Sequence, residues 1–262
     1  MKRYLSLLLI HYRAGLLTEM EYRANFLTSA GVSVGWALWL TGGSAVFFYH
    51  RSTLGGWTFD QMLLVSGLFI FFGGFGAAVL APNVQRMVDH VQKGTMDFVL
   101  LKPASSQFLA TVTACAPMKF VDLITGLILI SIGLYRMGHV PDAYHVLSFL
   151  LMIPAGIATL YSFCVLCLTL AFWFVRVDNF PELFWAFFEA GRFPVSVYRG
   201  AVRFVLTYVV PIAFLTTFPA AALLGMLSPR YVFASVIVAA ILLYLSTRFW
   251  NYAIRFYSSA SS

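Results

Sequence analysis

Residues able to carry out chemistry are scarce in this sequence. It contains no G-x-x-x-x-G-K-[ST] motif for nucleotide phosphates and no H-E-x-x-H motif for zinc. Cys164 and Cys167 form a C-x-x-C pair inside an uncharged run, with no second pair or nearby histidine to complete a metal site. The sequence therefore predicts no metal site and no ATP site in this chain.

Lys119 and Asp122 are the ionisable residues of an otherwise mostly apolar stretch. Because they are three residues apart, we expect them to pair on one face of a helix. Ion-coupled carriers and intramembrane enzymes usually place more carboxylates or histidines within their apolar segments. The scarcity of such residues disfavours an ion-coupled secondary carrier and an intramembrane lipid-modifying enzyme. Both classes stay as alternatives.

The segment from Asn83 to Pro103 has the pattern of a short amphipathic helix. We expect this helix to project from the end of a membrane span and to end at Gly94, since glycine is a common helix stop. Its apolar stripe comprises Val84, Met87, Val88 and Val91, and its polar face includes Arg86, Asp89 and Lys93. An ordinary solvated loop is the alternative interpretation.

A second mixed segment, residues 178–198, is rich in aromatic side chains. Glu189 and Arg192 are three residues apart and can pair on one helix face, and Pro194 ends the helix. We predict an interfacial helix on the cytoplasmic side of a membrane. A membrane-anchoring aromatic belt is the alternative.

Composition places these segments in a membrane protein. Of 262 residues, 61% are hydrophobic and 10% are charged, against roughly 45–50% and about 25% in soluble domains. About 20 apolar residues suffice to cross a bilayer. We predict an all-α membrane protein that forms a single domain over residues 1–262, with an N-terminal amphipathic helix and short cytoplasmic coupling helices. The six predicted spans are about 24–49, 61–82, 119–135, 146–175, 204–227 and 231–248.

Glycines within the predicted spans indicate close helix packing. Gly31 and Gly35 form a G-x-x-x-G motif, which lets another helix approach. Gly73, Gly74 and Gly76 suggest close packing or a bend in the second span.

The net charge of +7 lies in short clusters between uncharged runs, which does not suit a nucleic-acid partner. Cytoplasmic loops of membrane proteins hold most of the Lys and Arg residues. With both termini in the cytoplasm, the predicted outer side holds Arg51, Arg136 and Arg230. The predicted inner side holds Lys2, Arg3, Arg13, Arg23, Arg86, Lys93, Lys102, Lys119, Arg176, Arg192, Arg199, Arg203, Arg248 and Arg255.

Two motifs resemble a subfamily of type-2 ABC transporter permeases that was long described only as a domain of unknown function. The first is Gly94-x-x-Asp97-x-x-Leu100-Leu101-Lys102-Pro103, and the second is Glu189-Ala190-Gly191-Arg192-Phe193-Pro194-x-x-x-Tyr198. Pro211 and Phe218-Pro219-Ala220 also fit its fifth-helix region. Lys102 stands where Arg is common, and Gly191 stands where Ala is usual.

The resemblance implies the permease subunit of an ABC exporter in the bacterial inner membrane. Such a subunit has no cofactor of its own, because ATP and Mg²⁺ are bound by a separate dimer of ATPase subunits. A second permease chain, identical or homologous, completes the path for a hydrophobic or amphipathic substrate. The residues implied to couple to the ATPase are Arg86, Asp89, Lys93, Gly94, Asp97, Lys102, Pro103, Glu189, Arg192, Pro194 and Tyr198.

Overall fold

The computed structural model describes residues 2–20, 23–138, 140–173 and 185–256, and these ranges form helices joined by turns, without strands. Five of the described helices are long and apolar enough to cross a bilayer, and a bent helix pair is a sixth candidate. The predicted all-α membrane fold is therefore confirmed.

The helices follow one another along the chain with short connections. In order they are α1 (Lys2–Met20), α2 (Arg23–Tyr49), α3 (Phe59–Phe75), α4 (Ala81–Gln92), α5 (Asp97–Leu100), α6 (Ser106–Val112), α7 (Phe120–Met137), α8 (Ala143–Thr169), α9 (185–189), α10 (Gly200–Phe204), α11 (Thr217–Leu223) and α12 (Pro229–Ala253).

Helices α3 and α4 form one continuous helix, Phe59–His90, of 32 residues. Thr58 and Gln61 form a capping box at its start. A π-helical turn, Gly76–Leu80, joins the two parts immediately before Pro82. Proline lacks an N–H and crowds the preceding turn, and the wider π turn lets the helix continue past it. The predicted projecting helix after the second span is therefore a straight extension of that span.

Helices α3 and α7 approach so closely that glycine is needed on both. A Cβ atom at Gly67 would lie 2.6 Å from the carbonyl oxygen of Gly126, and one at Gly126 would lie 2.5 Å from that of Gly67. A Cβ at Gly74 would lie 2.5 Å from the Cβ of Asp122. The close packing predicted for the second span is thus present.

Contacts at the chain turns define two ends of the helix bundle. Near the turn at Gly55, Arg136 pairs with Asp60 at 2.6 Å, and the backbone of Gly225 packs on His145. Near the turn at Gly94, Trp250 Nε1 donates to Ser106 Oγ at 3.2 Å. We call these the Gly55 end and the Gly94 end. A helix of 32 residues is about 48 Å long, so the ends lie on opposite sides of a bilayer.

The fifth crossing differs from its predicted position. Trp173 stacks on Phe249 at the Gly94 end, whereas Ser196 Oγ donates to Gly55 O at 2.7 Å at the other end. Residues 173 and 196 therefore lie at opposite ends of the bundle, and residues 174–184 lie outside the described residues. The fifth span predicted at 204–227 falls instead on a bent pair of helical segments.

Residues 200–223 form a bent pair of helical segments that begins and returns at the Gly55 end. Its two parts, Gly200–Val209 and Ile212–Leu223, meet at 65° around Pro211. Leu215 reaches inward to the level of Gly156, in the middle of α8, and Met226 lies beside Gln61 at the start of α3. The pair is a re-entrant segment rather than a crossing.

No other part of the described chain packs closely against the glycines of α2. No atom comes within 4 Å of a Cβ built at Gly31, Gly35, Gly42 or Gly43. The close helix approach predicted for the G-x-x-x-G motif is thus not made by the described residues of this chain.

Candidate coupling site and membrane-embedded ion pair

The sequence around Gly94 ends the long helix in a Schellman motif. Gly94 has a φ of 65°, the left-handed region that glycine enters without strain. The N–H of Thr95 donates to the carbonyl of His90 at 2.9 Å, the bond typical of this motif. His90 Nδ1 also lies 2.8 Å from Thr95 Oγ1. The predicted helix stop at Gly94 is confirmed, and it fixes the direction of the following turn.

The apolar stripe of α4 packs on the chain itself. Met87 and Val88 are buried, and Met87 shares a cluster with Met96, Val99 and Trp250. The side chain of Val91 lies outside what the structure describes. The described part of the stripe therefore faces this chain rather than its surroundings.

The polar side of the Gly94 end is open to a partner. Asp89 and Lys93 form an ion pair at 3.8 Å, with both side chains substantially exposed. Such a pair contributes only about 0–1 kcal/mol. Arg86, Lys102 and Pro103 are exposed as well. The structure brings these predicted residues together at one end of the bundle.

Two apolar residues of this end were not among the residues predicted to couple to the ATPase. Phe98 is 69% exposed and Leu101 is 81% exposed, on either side of the buried Val99. Phe98 lies on the short helix α5, which Asp97 begins, and Leu101 directly follows the helix. Large exposed apolar side chains next to charged ones mark interaction surfaces. Only the burial of Val99 distinguishes outward from inward residues in this apolar run, so the exposure of Phe98 and Leu101 could not be predicted from residue type.

The second predicted group lies elsewhere. Glu189 and Arg192 form the predicted ion pair, and Tyr198 Oη donates to Ala190 O at 2.9 Å. Pro194 is buried, and the backbone N–H of the following Val195 donates to Thr217. These contacts lead the chain toward Gly55 and away from Gly94. The structure therefore places Glu189, Arg192, Pro194 and Tyr198 apart from the Gly94 end, and the two predicted groups are not brought together.

The Glu189–Arg192 pair lies within the thickness of the membrane. Phe188 stacks on Phe69 at 4.9 Å, and a Cβ at Gly73 would touch its ring. Phe69 and Gly73 are about 14 and 20 Å along α3 from Asp60, inside an apolar core of about 30 Å. Glu189 is 46% exposed and Arg192 is 36% exposed on this single chain. Ionised side chains at such depth face protein or water rather than lipid.

A cleft of about 150 Å³ opens beside this pair. Trp36 of α2, Trp185 and Glu189 of α9, and Asp122 of α7 line it, together with α3 residues around Gly73. Ser33 donates a hydrogen bond to Asp122. Asp122 therefore bonds to α2, and the predicted Lys119–Asp122 pair is not formed among the described residues.

Residues Gly31 to Gly35 match the spacing G-x-S-x-G of many serine hydrolases. In hydrolases that serine sits on a sharp turn between a strand and a helix. Ser33 instead lies inside α2 and bonds to Asp122. Within the described residues, no three His, Cys, Asp or Glu side chains are arranged to hold a metal ion either. The surroundings of Ser33 therefore do not match those of a hydrolase serine.

We expect cysteine labelling to place residue 199 on the same side of the membrane as residue 52. In a variant with alanine at positions 115, 164 and 167, Ser52→Cys and Arg199→Cys should react with a membrane-impermeant maleimide on spheroplasts. Lys93→Cys should react only after permeabilisation, because it lies at the opposite end of α3 and α4. A span at 204–227 would instead give Arg199→Cys the same labelling as Lys93→Cys, and that outcome would overturn the assignment.

A multi-pass α-helical protein with a membrane-embedded ion pair, a cleft beside it and an exposed docking end has the construction of a transport permease. The comparison with protein families identifies which kind. A model described as ABC-2 family transporter protein matches residues 40–261, so the chain belongs to this family and is the permease of an ABC-type transporter. Neither curated proteins nor solved structures give a match.

Proposed function

We propose that this permease is the transmembrane subunit of an ATP-driven exporter for a hydrophobic or amphipathic substrate. A separate dimer of ATPase subunits, carrying ATP and Mg²⁺, docks at the Gly94 end. The observation that carries the proposal is the exposed surface there, where Phe98 and Leu101 project beside Lys93 and Lys102. Apolar anchors within a charged surface suit a protein partner.

Charge supports a cytoplasmic Gly94 end in the inner membrane of a bacterium. Five of the 17 Lys and Arg residues belong to the Gly55 end, namely Arg51, Arg136, Arg199, Arg203 and Arg230. Ten belong to the Gly94 end, namely Lys2, Arg3, Arg13, Arg23, Arg86, Lys93, Lys102, Lys119, Arg248 and Arg255. The bias remains when Arg199 and Arg203 are counted at the Gly55 end. It follows the positive-inside rule, with both termini inside.

The continuous helix gives ATPase motion a route to the membrane cleft. One end of α3 and α4 carries Gly94, and its middle, at Gly73 and Gly74, borders the cleft. A helix moves as a rigid element when its neighbours shift. Displacement of the Gly94 end would therefore change the cleft without a flexible joint between them.

A second permease chain, identical or homologous, is part of the proposal. The half-exposed Glu189–Arg192 pair needs a polar or protein neighbour at membrane depth, and Gly31 and Gly35 leave space beside α2. A second chain facing this side would cover both, and the substrate path would run between the two chains.

We expect the tagged chain, purified gently from native membranes, to bring with it a protein that contains a P-loop. The complex should hydrolyse ATP, and the stringently purified chain should not, because it has no P-loop. Two differently tagged copies should co-purify if the second permease is identical. An unrelated membrane protein with the same tag is the control. Hydrolysis by the stringently purified chain would contradict the assignment.

An ion-coupled carrier is the second candidate, and one observation favours it. The structure places Asp122 and Glu189 beside a cleft at membrane depth, where carriers keep carboxylates. Substrate efflux from proteoliposomes distinguishes the two candidates. An exporter needs the ATPase subunits and ATP, whereas a carrier moves substrate in the chain alone under an ion gradient.

A further inference from the structure

A small cavity of about 100 Å³ lies at the Gly94 end between α1, α4, α5 and α6. Since a water molecule takes about 30 Å³ in the liquid, the cavity holds a group as large as about three waters. A phosphate group fits this size. The cavity is separate from the membrane cleft and from the exposed Phe98 and Leu101.

The cavity is lined by cationic and neutral polar groups together with apolar side chains. Arg86 and His90 come from α4, His11 from α1, and Lys102 from the turn after α5, and no carboxylate is among the lining residues. The nearby Asp89 pairs with Lys93 instead. Within the described residues, neither Arg86 nor Lys102 has a carboxylate partner. The cavity therefore favours an anion.

The walls are held in place by hydrogen bonds. The buried Asn83 side chain donates to Val79 O at 2.6 Å and to Ala114 O at 2.8 Å, and it accepts from Ala114 N at 2.8 Å. His11 Nδ1 donates to Leu7 O at 2.7 Å. A rigid wall lowers the entropic cost of binding.

The helix that forms one wall also indicates where the anion comes from. Helix α1 exposes large apolar side chains on both sides of His11, since Leu9 is 64% exposed and Leu17 is 58% exposed. An amphipathic helix with such residues lies at the membrane surface and contacts acyl chains. Basic pockets at this level of a membrane protein bind the headgroups of anionic lipids.

We propose that this cavity binds the phosphate of an anionic phospholipid. Arg86 and Lys102 bind the phosphate oxygens, and the acyl chains lie along the exposed apolar residues of α1. The bound lipid fastens α1 to α4 and to the turn after α5. The site thereby links the lipid composition of the membrane to the docking end.

The test uses the full chain, purified alone in an uncharged detergent. Dioctanoyl phosphatidylglycerol is titrated, and one-lipid adducts are counted by native mass spectrometry. Arg86→Gln with Lys102→Gln should weaken binding about thirty-fold, since each basic residue near an anionic lipid contributes about a five-fold factor. The matched control, Lys119→Gln with Arg248→Gln, removes the same charge outside the cavity and should leave the affinity unchanged.

Further arms separate the sources of phosphate. Dioctanoyl phosphatidylcholine, whose headgroup has no net charge, should bind clearly more weakly than phosphatidylglycerol. Inorganic phosphate that displaces phosphatidylglycerol at equal concentration would overturn the lipid assignment. Unchanged binding by the double variant would overturn the cavity assignment. If the double variant does not fold, Lys102→Gln alone, at an exposed position, should weaken binding about five-fold.

Discussion

Replacing Gly126 with alanine is expected to prevent the permease from accumulating as a folded protein. The added Cβ would lie 2.5 Å from the carbonyl oxygen of Gly67 and 2.8 Å from the backbone nitrogen of Phe71. Both atoms belong to backbone, so neither moves away by a rotamer change. Helices α3 and α7 would have to separate along their shared length.

The expected effect is large because the net stability of folded proteins is small. Overpacking a tight core costs about 1–3 kcal/mol, and more when backbone must move, out of a typical total of about 5–15 kcal/mol. Separation of α7 from α3 would also disturb the bond from Ser33 to Asp122, because Asp122 packs on Gly74. We therefore expect Gly126→Ala to lower the free energy of unfolding by about 3 kcal/mol or more.

Gly43→Ala is the matched control for the effect of alanine in a helix. No atom lies within 4 Å of a Cβ at Gly43, and alanine favours a helix over glycine by about 1 kcal/mol. Its folded yield, measured by fluorescence-detected size exclusion of a tagged chain, should equal or exceed that of the unaltered permease. Equal folded yields for Gly126→Ala and Gly43→Ala would show that α3 and α7 are not packed backbone to backbone.

The sequence was sufficient for features that depend on local pattern. The uncharged runs marked the crossings formed by α2, α3, α7, α8 and α12, because about 20 apolar residues are required whatever the neighbours are. Gly94 marked the end of the long helix, because its left-handed conformation is a local requirement. The Glu189–Arg192 pair could be predicted for the same reason, since residues three apart meet on one helix face.

The depth of the Glu189–Arg192 pair and the bend at Pro211 could not be predicted, because both depend on tertiary contacts. Glu189 and Arg192 indicated a surface helix, yet each neutralises the other beside a cleft at membrane depth. The run around Pro211 has the hydropathy of a span but bends by 65° and returns. Hydropathy measures transfer into lipid, and it does not register a neighbouring chain segment that takes the place of lipid.

The extension of the second span was missed for a different reason. Pro82 and the change from apolar to amphipathic residues both favour a break, and Pro82 would normally interrupt a helix. The π turn at Gly76–Leu80 lets the helix continue. Trp185 packs against the start of this turn, since a Cβ at Gly76 would lie 2.5 Å from its ring. The sequence alone does not reveal that contact.

Gly94→Val is expected to separate ATPase docking from permease folding. Gly94 has a φ of 65°, and a β-branched residue in that region costs about 1–3 kcal/mol. The turn can relieve this strain by leaving the Schellman geometry, which would redirect α5 with Phe98 and Leu101. The membrane-spanning helices would keep their packing, because the closest backbone contacts of α3 with α7, at Gly67 and Gly126, lie far along the helix from Gly94.

Gly138→Val is a matched control with the same backbone strain at the opposite end. Gly138 caps α7 with a φ of 61°, and no atom lies within 4 Å of a Cβ built there. If strain alone mattered, both variants would behave alike. If the Gly94 end is the docking surface, only Gly94→Val should lose the ATPase.

The measurement is pull-down of the ATPase subunit together with substrate efflux, both normalised to the amount of permease in the membrane. We expect Gly94→Val to lower both by about ten-fold or more, since 1.4 kcal/mol corresponds to a factor of ten. Asp97→Ala, at the first residue of α5, should lower them less, because the backbone turn stays intact. Gly138→Val should keep both near the level of the unaltered permease. Unchanged binding and efflux in both Gly94→Val and Asp97→Ala would show that this turn is an ordinary connector, and the docking site would then have to lie elsewhere on the permease.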